Sequence, residues 1–315
     1  FLEALDEDEK LRIFDLTTRA SRELHRWAAR YPLIRRTRVW PLSLSVAAAA
    51  PFASVAALVT MARMNLWVFT IDDLFDEEIV PFPELQRRVA RYKDILAGGR
   101  VEPKRERDTL MGALQDIRDD LSTYALFPSF QPHWARAVSG TMESMLREHE
   151  WRLLYRNGDG NYALPSYDTY LDDALYSIGG PPHVWTALIA IGDTSAQQYL
   201  DRLREMERTA SICIRLANDL QSHQKEVAEG KINSVIIRQR EALAEGLEPD
   251  PALAFAREAV REDIRRRLDR CIELKNTAET ASGYPERAIA DIARFACDFY
   301  THHDYHTFAA GAGRT

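Results

Sequence analysis

Apolar residues recurring at helical spacing run almost the whole length of this chain, and that periodicity leaves little choice but an all-α fold. The pattern holds over residues 8–30, 53–80, 108–126, 133–155, 167–178, 183–191, 195–229, 231–245, 251–281 and 285–307. Turn-forming residues punctuate it at Gly98-Gly99, Phe127-Pro128, Asn157-Gly158-Asp159-Gly160, Gly179-Gly180-Pro181-Pro182, Gly230, Pro249-Asp250-Pro251 and Gly283-Tyr284-Pro285. Runs of alternating β-branched residues, the mark of half-buried strands, are absent from the sequence. No internal repeat or low-complexity linker divides the chain. The spacing therefore predicts one all-α domain of roughly ten helices over residues 1–308, with a small, polar tail at 309–315 that frays.

Composition narrows the function. Hydrophobic residues make up 46% of the 315, enough for a sizeable core. The net charge of -7, from 48 acidic and 41 basic residues, argues against a nucleic-acid binder, which shows a basic excess or stripe. Cys213, Cys271 and Cys297 are odd in number and widely spaced, which fits free thiols in a reducing cytoplasm. The sequence opens on Phe1 with no secretory pattern, in keeping with a cytoplasmic location. Val39 to Ala62 carries no charge, but it holds Pro41 and Pro51 and is rich in Ala and Ser. It reads as one buried core helix with a proline near its start, not a membrane span.

Two polar stripes carry chemistry. The first lies in Phe69-Thr70-Ile71-Asp72-Asp73-Leu74-Phe75-Asp76. At about 100° per residue, Asp72, Asp73 and Asp76 share one side of a helix. The turns before them are apolar all round, so clustered carboxylates there are costly unless something neutralises them. Magnesium, which takes oxygen ligands from carboxylates and phosphates, is the natural neutraliser. The competing reading is an acidic helix end in water. Asp116, Asp119 and Asp120 also share a face, but they are interleaved with Arg118 and read as a solvated surface.

The second stripe is Asn218, Ser222 and Glu226, spaced i, i+4, i+8. An amide oxygen, a hydroxyl and a carboxylate in a row form a weakly charged oxygen site, which binds magnesium well when a diphosphate supplies further ligands. Arg215 precedes Asn218 on the same face and Lys225 lies beside the stripe; both suit a diphosphate oxygen. A polar helix–helix contact is the competing reading.

Asp72-Asp73-x-x-Asp76 and Asn218-Asp219-x-x-Ser222-x-x-x-Glu226 together strongly resemble the two motifs of class I terpene synthases, DDxxD and (N/D)Dxx(S/T)xxxE. The resemblance extends over nearly the whole chain. Glu148-His149-Glu150-Trp151, Leu164-Pro165-Ser166 and Tyr170-Leu171-x-x-Ala174-x-x-Ser177-Ile178-Gly179 are similar to the segment between the motifs, and Phe299-Tyr300-Thr301-His302-His303-Asp304-Tyr305 to the closing helix. Two departures stand out. The arginine that many bacterial members carry before the kink glycine is missing from Asp173-Ala174-Leu175-Tyr176, and the C-terminal Arg-Tyr pair is replaced by His303-Asp304-Tyr305. In both places the chain looks more like plant-type, diterpene-forming members, in which an arginine precedes the second motif, as Arg215 does, and an Arg-x-Arg precedes the first, as Arg36 and Arg38 do.

The resemblance implies a helical bundle around a central cavity and a lyase that ionises an allylic prenyl diphosphate with Mg2+, three ions in the family pattern, with Mn2+ as a substitute. Asp72, Asp73, Asp76, Asn218, Ser222 and Glu226 would be catalytic, with Asp72, Asp76, Asn218, Ser222 and Glu226 holding metal. Arg215, Lys225, Lys231, Arg36 and Arg38 would hold diphosphate. Trp67, Phe69, Phe75, Trp151, Tyr176, Ser177, Gly179, Trp185, Phe299 and Tyr300 are candidates for the cavity wall, and segments 79–84, 156–166 and 227–234 for closing loops. A C20 substrate, geranylgeranyl or copalyl-type diphosphate, is expected ahead of farnesyl diphosphate. A separate prenyl diphosphate synthase or class II cyclase would supply it, and a homodimer is compatible with the family. A chain-elongating prenyl diphosphate synthase needs two aspartate-rich motifs, and a non-catalytic helical binding protein need not keep both motifs intact. No DxDD acid is present, which disfavours protonation-initiated cyclisation.

Overall fold

Twelve α-helices form among the residues that the computed structural model describes, 1–76, 80–101, 108–157 and 164–303. They are α1 (Glu7–Ala28), α2 (Val39–Ala49), α3 (Val55–Asp76), α4 (Phe82–Leu96), α5 (Thr109–Leu121), α6 (Phe127–Asn157), α7 (Tyr167–Ser177), α8 (Gly180–Ile191), α9 (Leu200–Glu229), α10 (Ser234–Ala244), α11 (Pro249–Asn276) and α12 (Tyr284–His302). No strand occurs among the described residues. Side-chain caps start several helices by giving a first-turn N–H an acceptor. Asp6 accepts from Glu9 N, Ser166 from Thr169 N and Asn233 from Ile236 N. Gly179 (φ 77°) and Gly230 (φ 68°) adopt the left-handed conformation at the start of α8 and the end of α9.

Two long buried helices organise the bundle. α3 packs on α1, α2, α5, α6 and α8, while α9 packs on α7, α8, α10, α11 and α12. α6 closes the ring by packing on α3, α7 and α8. By length and composition α3 could cross a membrane, but 72% of its most apolar stretch is buried inside the bundle, as befits a core helix.

The structure departs from the periodicity in three places. Val39–Ala62 is two helices, because the chain turns at Ala50–Ser54, around Pro51. Phe127-Pro128 opens α6 instead of separating two helices, since a proline in the first turn removes only an N–H that has no intrahelical acceptor. α4 is an additional helix whose buried Leu85, Val89, Tyr92, Ile95 and Leu96 recur at helical spacing between charged residues. The tail 309–315, Asp304 and Tyr305 lie outside the described residues, as does most of the loop at 156–166. Of the other two candidate loops, 82–84 belong to α4 and 227–229 to α9.

Candidate active site

The C-terminal half of α3 faces the C-terminal half of α9 across a cleft partly open to solvent. Asp72 and Asp76 line it from α3, and Asn218, Ser222 and Glu226 line it from α9. A helix returns to the same face every i+4, so each stripe points its alternate turns at the other. Arg215, Lys225 and Lys231 line the same space.

Asp73 does not. One residue from Asp72 is about 100° around the helix, and Asp73 faces back into the bundle. There it receives a bidentate pair from Arg38, Nη1 to Oδ2 at 2.7 Å and Nη2 to Oδ1 at 2.8 Å, with Arg35 Nε at 3.3 Å. Arg38 is 2% exposed and also donates to the Phe69 carbonyl at 3.1 Å. Both its forks are thus committed to tying α3 to the turn before α2, and neither Arg38 nor the exposed Arg36 lines the cleft. The expectation that Asp73 and the Arg36/Arg38 pair face the substrate is corrected accordingly.

Asp219 repeats this arrangement on α9. It is fully buried; it accepts from Tyr170 Oη at 3.0 and 3.1 Å and from Ser234 N at 2.9 Å, and Arg215 Nε pairs with it at 2.7 Å. Arg215 also receives Coulombic support from Glu148, 3.5 Å from Nη1. Desolvation opposes the charge on Arg215, but Asp219, Tyr170 and Glu148 together hold it well above the ordinary arginine range. Glu148 receives a hydrogen bond from Ser177 Oγ at 2.6 Å. Burial pushes its carboxyl up to about 7, against the opposing pull of Arg215 and Ser177. Burial likewise raises Glu226, which Asn233 Nδ2 orients from 2.8 Å. Asn233 is itself fixed by capping α10.

Lys231 reaches across the mouth. Its Nζ lies 2.8 Å from Asp76 Oδ2 and 3.1 Å from Glu229. Desolvation works against its charge, yet Asp76 and Asp72 hold the ammonium above its usual range. Lys225 sits at the rim, 3.9 Å from Glu229.

Of the aromatic candidates, Phe69, Phe75, Trp151 and Tyr300 line the cleft, as does Ser177. Trp67 is fully buried on the opposite side of α3, where its indole donates to the Leu110 carbonyl at 2.9 Å. Trp185 stacks on His133, and Tyr176 shares a separate surface hollow with them. Phe299 packs against Phe295 in the core. Gly179 borders a deeper apolar pocket that shares Val68, Phe69, Ile178 and Tyr300 with the cleft. Met145, Glu148, His149 and Arg152 of α6 also line the cleft but were not among the expected site residues. Their i, i+3, i+4, i+7 spacing on one helix was the available signal. Arg152 Nη2 donates to the Phe75 carbonyl at 3.3 Å and pairs with His149 Nδ1 at 2.7 Å, linking α6 to the end of α3.

Comparison with known proteins decides the family. Residues 63–266, which include both stripes, match the model for "Terpene synthase family 2, C-terminal metal binding". The chain belongs to the terpene synthase family. It is 32% identical over 225 residues to pristinol synthase of Streptomyces pristinaespiralis, a match covering 66% of this chain and 56% of that protein. It is 29% identical over 192 residues to S-linalool synthase of Clarkia breweri, covering 59% of this chain and 21% of the relative. The chain thus spans little more than half the first relative's length and about a fifth of the second's. Among solved structures, linalool/nerolidol synthase of Streptomyces clavuligerus, in complex with 2-fluorogeranyl diphosphate, superposes with a TM-score of 0.68 at 19% identity, covering 91% of this chain and 94% of that one. Isoprene synthase from grey poplar leaves gives 0.70 at 21% identity, covering 91% of this chain and 54% of the other. These two likenesses show the all-α terpenoid fold.

The family is a metal-binding one, and the residues present fit a hard cation that is completed by substrate. The donors are all oxygens, which suits magnesium more than a softer metal. Among the described residues, no three His, Cys, Asp or Glu side chains converge on one point. A site with so few protein anions leaves ligand positions for phosphate oxygens. Lys231 Nζ already places one positive charge against Asp76, so the pocket's carboxylates favour a cation at this point.

Proposed function

We propose that this terpene synthase is a class I cyclase that ionises an allylic prenyl diphosphate with Mg2+ and cyclises the resulting carbocation. One observation carries the reading: Asp72 and Asp76 of α3 and Asn218, Ser222 and Glu226 of α9 line one cleft together with Arg215 and Lys231. When bound, the metal ions would neutralise the diphosphate and stabilise it as it leaves. Asp72 and Asp76 would hold them on one side, and Asn218, Ser222 and Glu226 on the other. Arg215, aimed by Asp219 and Tyr170, offers a guanidinium to the departing diphosphate from a dry setting, where charge stabilisation is strongest. Lys231 would exchange Asp76 for a diphosphate oxygen. Phe69, Phe75, Trp151 and Tyr300 supply the cleft wall with aromatic rings, whose π-faces tolerate positive charge. A chain-elongating synthase is disfavoured because the α9 stripe has one carboxylate where a second aspartate-rich motif would stand.

Geranylgeranyl or a copalyl-type diphosphate is the substrate we favour, on the plant-type placement of Arg215. Relatives with names such as ent-kaurene synthase-like 3 of Oryza sativa, 33% identical over 96 residues, support that choice. Farnesyl diphosphate is the second choice. Incubating the purified protein and Mg2+ with C10, C15 and C20 diphosphates, then measuring diphosphate release and terpenoid products, tests both points. Loss of more than about a hundredfold in turnover is expected for Asp72→Ala and Asn218→Ala, with unchanged helical content. Full activity in either variant would refute the site assignment.

A further inference from the structure

Beyond Phe69 and Ile178 the cleft continues into a small pocket of about 50 Å³. Its wall is mostly apolar, with Leu42, Ile214, Ile292 and Ala296; besides the Tyr300 phenol shared with the cleft, it carries Ser45 of α2, Asn65 of α3 and His183 of α8. All three are at least nine-tenths buried, at 9%, 7% and 8% exposure. Asn65 Nδ2 meets His183 Nδ1 at 3.5 Å, the long limit of a hydrogen bond. His183 Nε2 is buried without a partner among the described residues, and Ser45 borders the same space. Buried polar groups are normally satisfied, so the unpartnered His183 Nε2, beside an Asn65 held only by a long hydrogen bond, calls for an explanation.

We infer that Ser45, Asn65 and His183 hold the water that ends the reaction, so the product is a terpene alcohol whose oxygen comes from solvent. This rests on the cyclase reading above and names its last step. With three polar partners the pocket meets the requirement for an ordered water, which takes two to four. Asn65 and Asp72 lie on the same stripe of α3, two turns apart, so the pocket sits about 10 Å along the helix from the ionisation end. In the step itself, a lone pair on the water oxygen forms a C–O bond to the cationic carbon. One O–H bond of the resulting oxonium breaks, its electrons stay on oxygen, and the proton passes to the imidazole of His183. The imidazolium returns that proton to solvent when the product leaves. Burial separately lowers the imidazole to about 4, which keeps the ring neutral and ready to accept a proton.

The test is turnover of the C10, C15 and C20 diphosphates in H2(18)O by the wild type, His183→Phe and Asn65→Leu. The expected wild-type product is an alcohol carrying one (18)O on a carbon away from the original allylic diphosphate unit. Both variants should keep diphosphate release within about threefold while the alcohol share falls at least tenfold in favour of hydrocarbon. If His183→Phe fails to fold, His183→Gln and Ser45→Ala carry the same comparison. A wild type that makes only hydrocarbon, a hydroxyl confined to the allylic unit, or variants with an unchanged alcohol share would overturn the inference. No diphosphate release from any substrate would instead overturn the cyclase reading, and this step with it.

Discussion

Asp219→Asn separates an oriented arginine from one that is merely nearby. The substitution keeps the shape of a side chain with no exposed surface but removes its charge. It leaves Arg215 with Glu148 at 3.5 Å in place of a carboxylate at 2.7 Å. Breaking a buried ion pair by removing one partner costs about 3–5 kcal/mol, because the remaining charge is desolvated and uncompensated. The retained amide oxygen can still accept from Tyr170 or Ser234 N, which places the cost near the lower end, about 3 kcal/mol. Applied to an interaction made in the transition state, that energy is roughly a hundredfold in rate. The assays are thermal unfolding by circular dichroism and steady-state diphosphate release. A lowered melting temperature is expected, with kcat reduced far more than KM is raised, since Arg215 would be misaimed at the leaving group rather than lost. If Asp219→Asn melts with the wild type and turns over within twofold of it, the orienting role is refuted.

Three further outcomes follow from the geometry. Lys231→Met removes the ammonium that competes for Asp76, so Mg2+ should bind the substrate-free protein more tightly, by about 1 kcal/mol or roughly fivefold in calorimetric titration, while turnover falls. Gly179→Ala forces a Cβ onto a residue at φ 77° and to 2.5 Å from Val68 Cγ1. Strain and overpacking together should lower stability by about 2–4 kcal/mol, read by chemical denaturation, and an unchanged midpoint would contradict a left-handed, tightly packed turn at this glycine. Glu148 binds its proton more tightly folded than unfolded, so the folded state holds the excess proton between pH 4.5 and about 7. Stability from this group is therefore lost as pH rises through that window. Glu148→Gln should flatten the wild-type decline in melting temperature there, and an unchanged slope would remove Glu148 as its source.

The helical fold was legible because helix periodicity and breaker residues act locally. Gly179-Gly180-Pro181-Pro182 and Gly230 mark real ends because their backbone demands are met within a few residues. Phe127-Pro128 misled for the converse reason: the same residue type starts a helix or stops one according to which turn it enters. Both polar stripes were legible from spacing, and the cleft places five of their side chains together. The aromatic wall was not. Trp67 and Phe69 are neighbours in sequence on a helix that is apolar on all sides, so nothing local says which faces the cavity and which donates to Leu110. Nor does sequence reveal that Arg38 is consumed by Asp73, since the two meet only when α3 folds against the turn before α2.

That last pairing explains why each motif carries an aspartate beside its cavity-facing stripe. In Asp72-Asp73-x-x-Asp76 the first and last residues face the cleft, while Asp73 turns inward to a bidentate arginine. In Asn218-Asp219-x-x-Ser222-x-x-x-Glu226 the stripe again faces the cleft, while Asp219 turns inward to Arg215, Tyr170 and the first turn of α10. A helix bearing several oxygen ligands on one side is pulled toward any cation and pushed from its neighbours when none is bound. An adjacent carboxylate, about 100° away, can hold the helix on its other side without entering the site: Asp73 by a charge pair with Arg38, and Asp219 by accepting from Tyr170 of α7 and Ser234 N of α10. The two inward aspartates do different secondary work. Asp73 spends its arginine on anchoring, with both forks committed, whereas Asp219 holds an arginine that still borders the cleft. Exchanging charge at Asp73 should therefore loosen α3 and weaken metal binding without a leaving-group defect. The same change at Asp219 should add a leaving-group defect to its loss of stability, and finding identical kinetic signatures for Asp73→Asn and Asp219→Asn would show that both are anchors and nothing more.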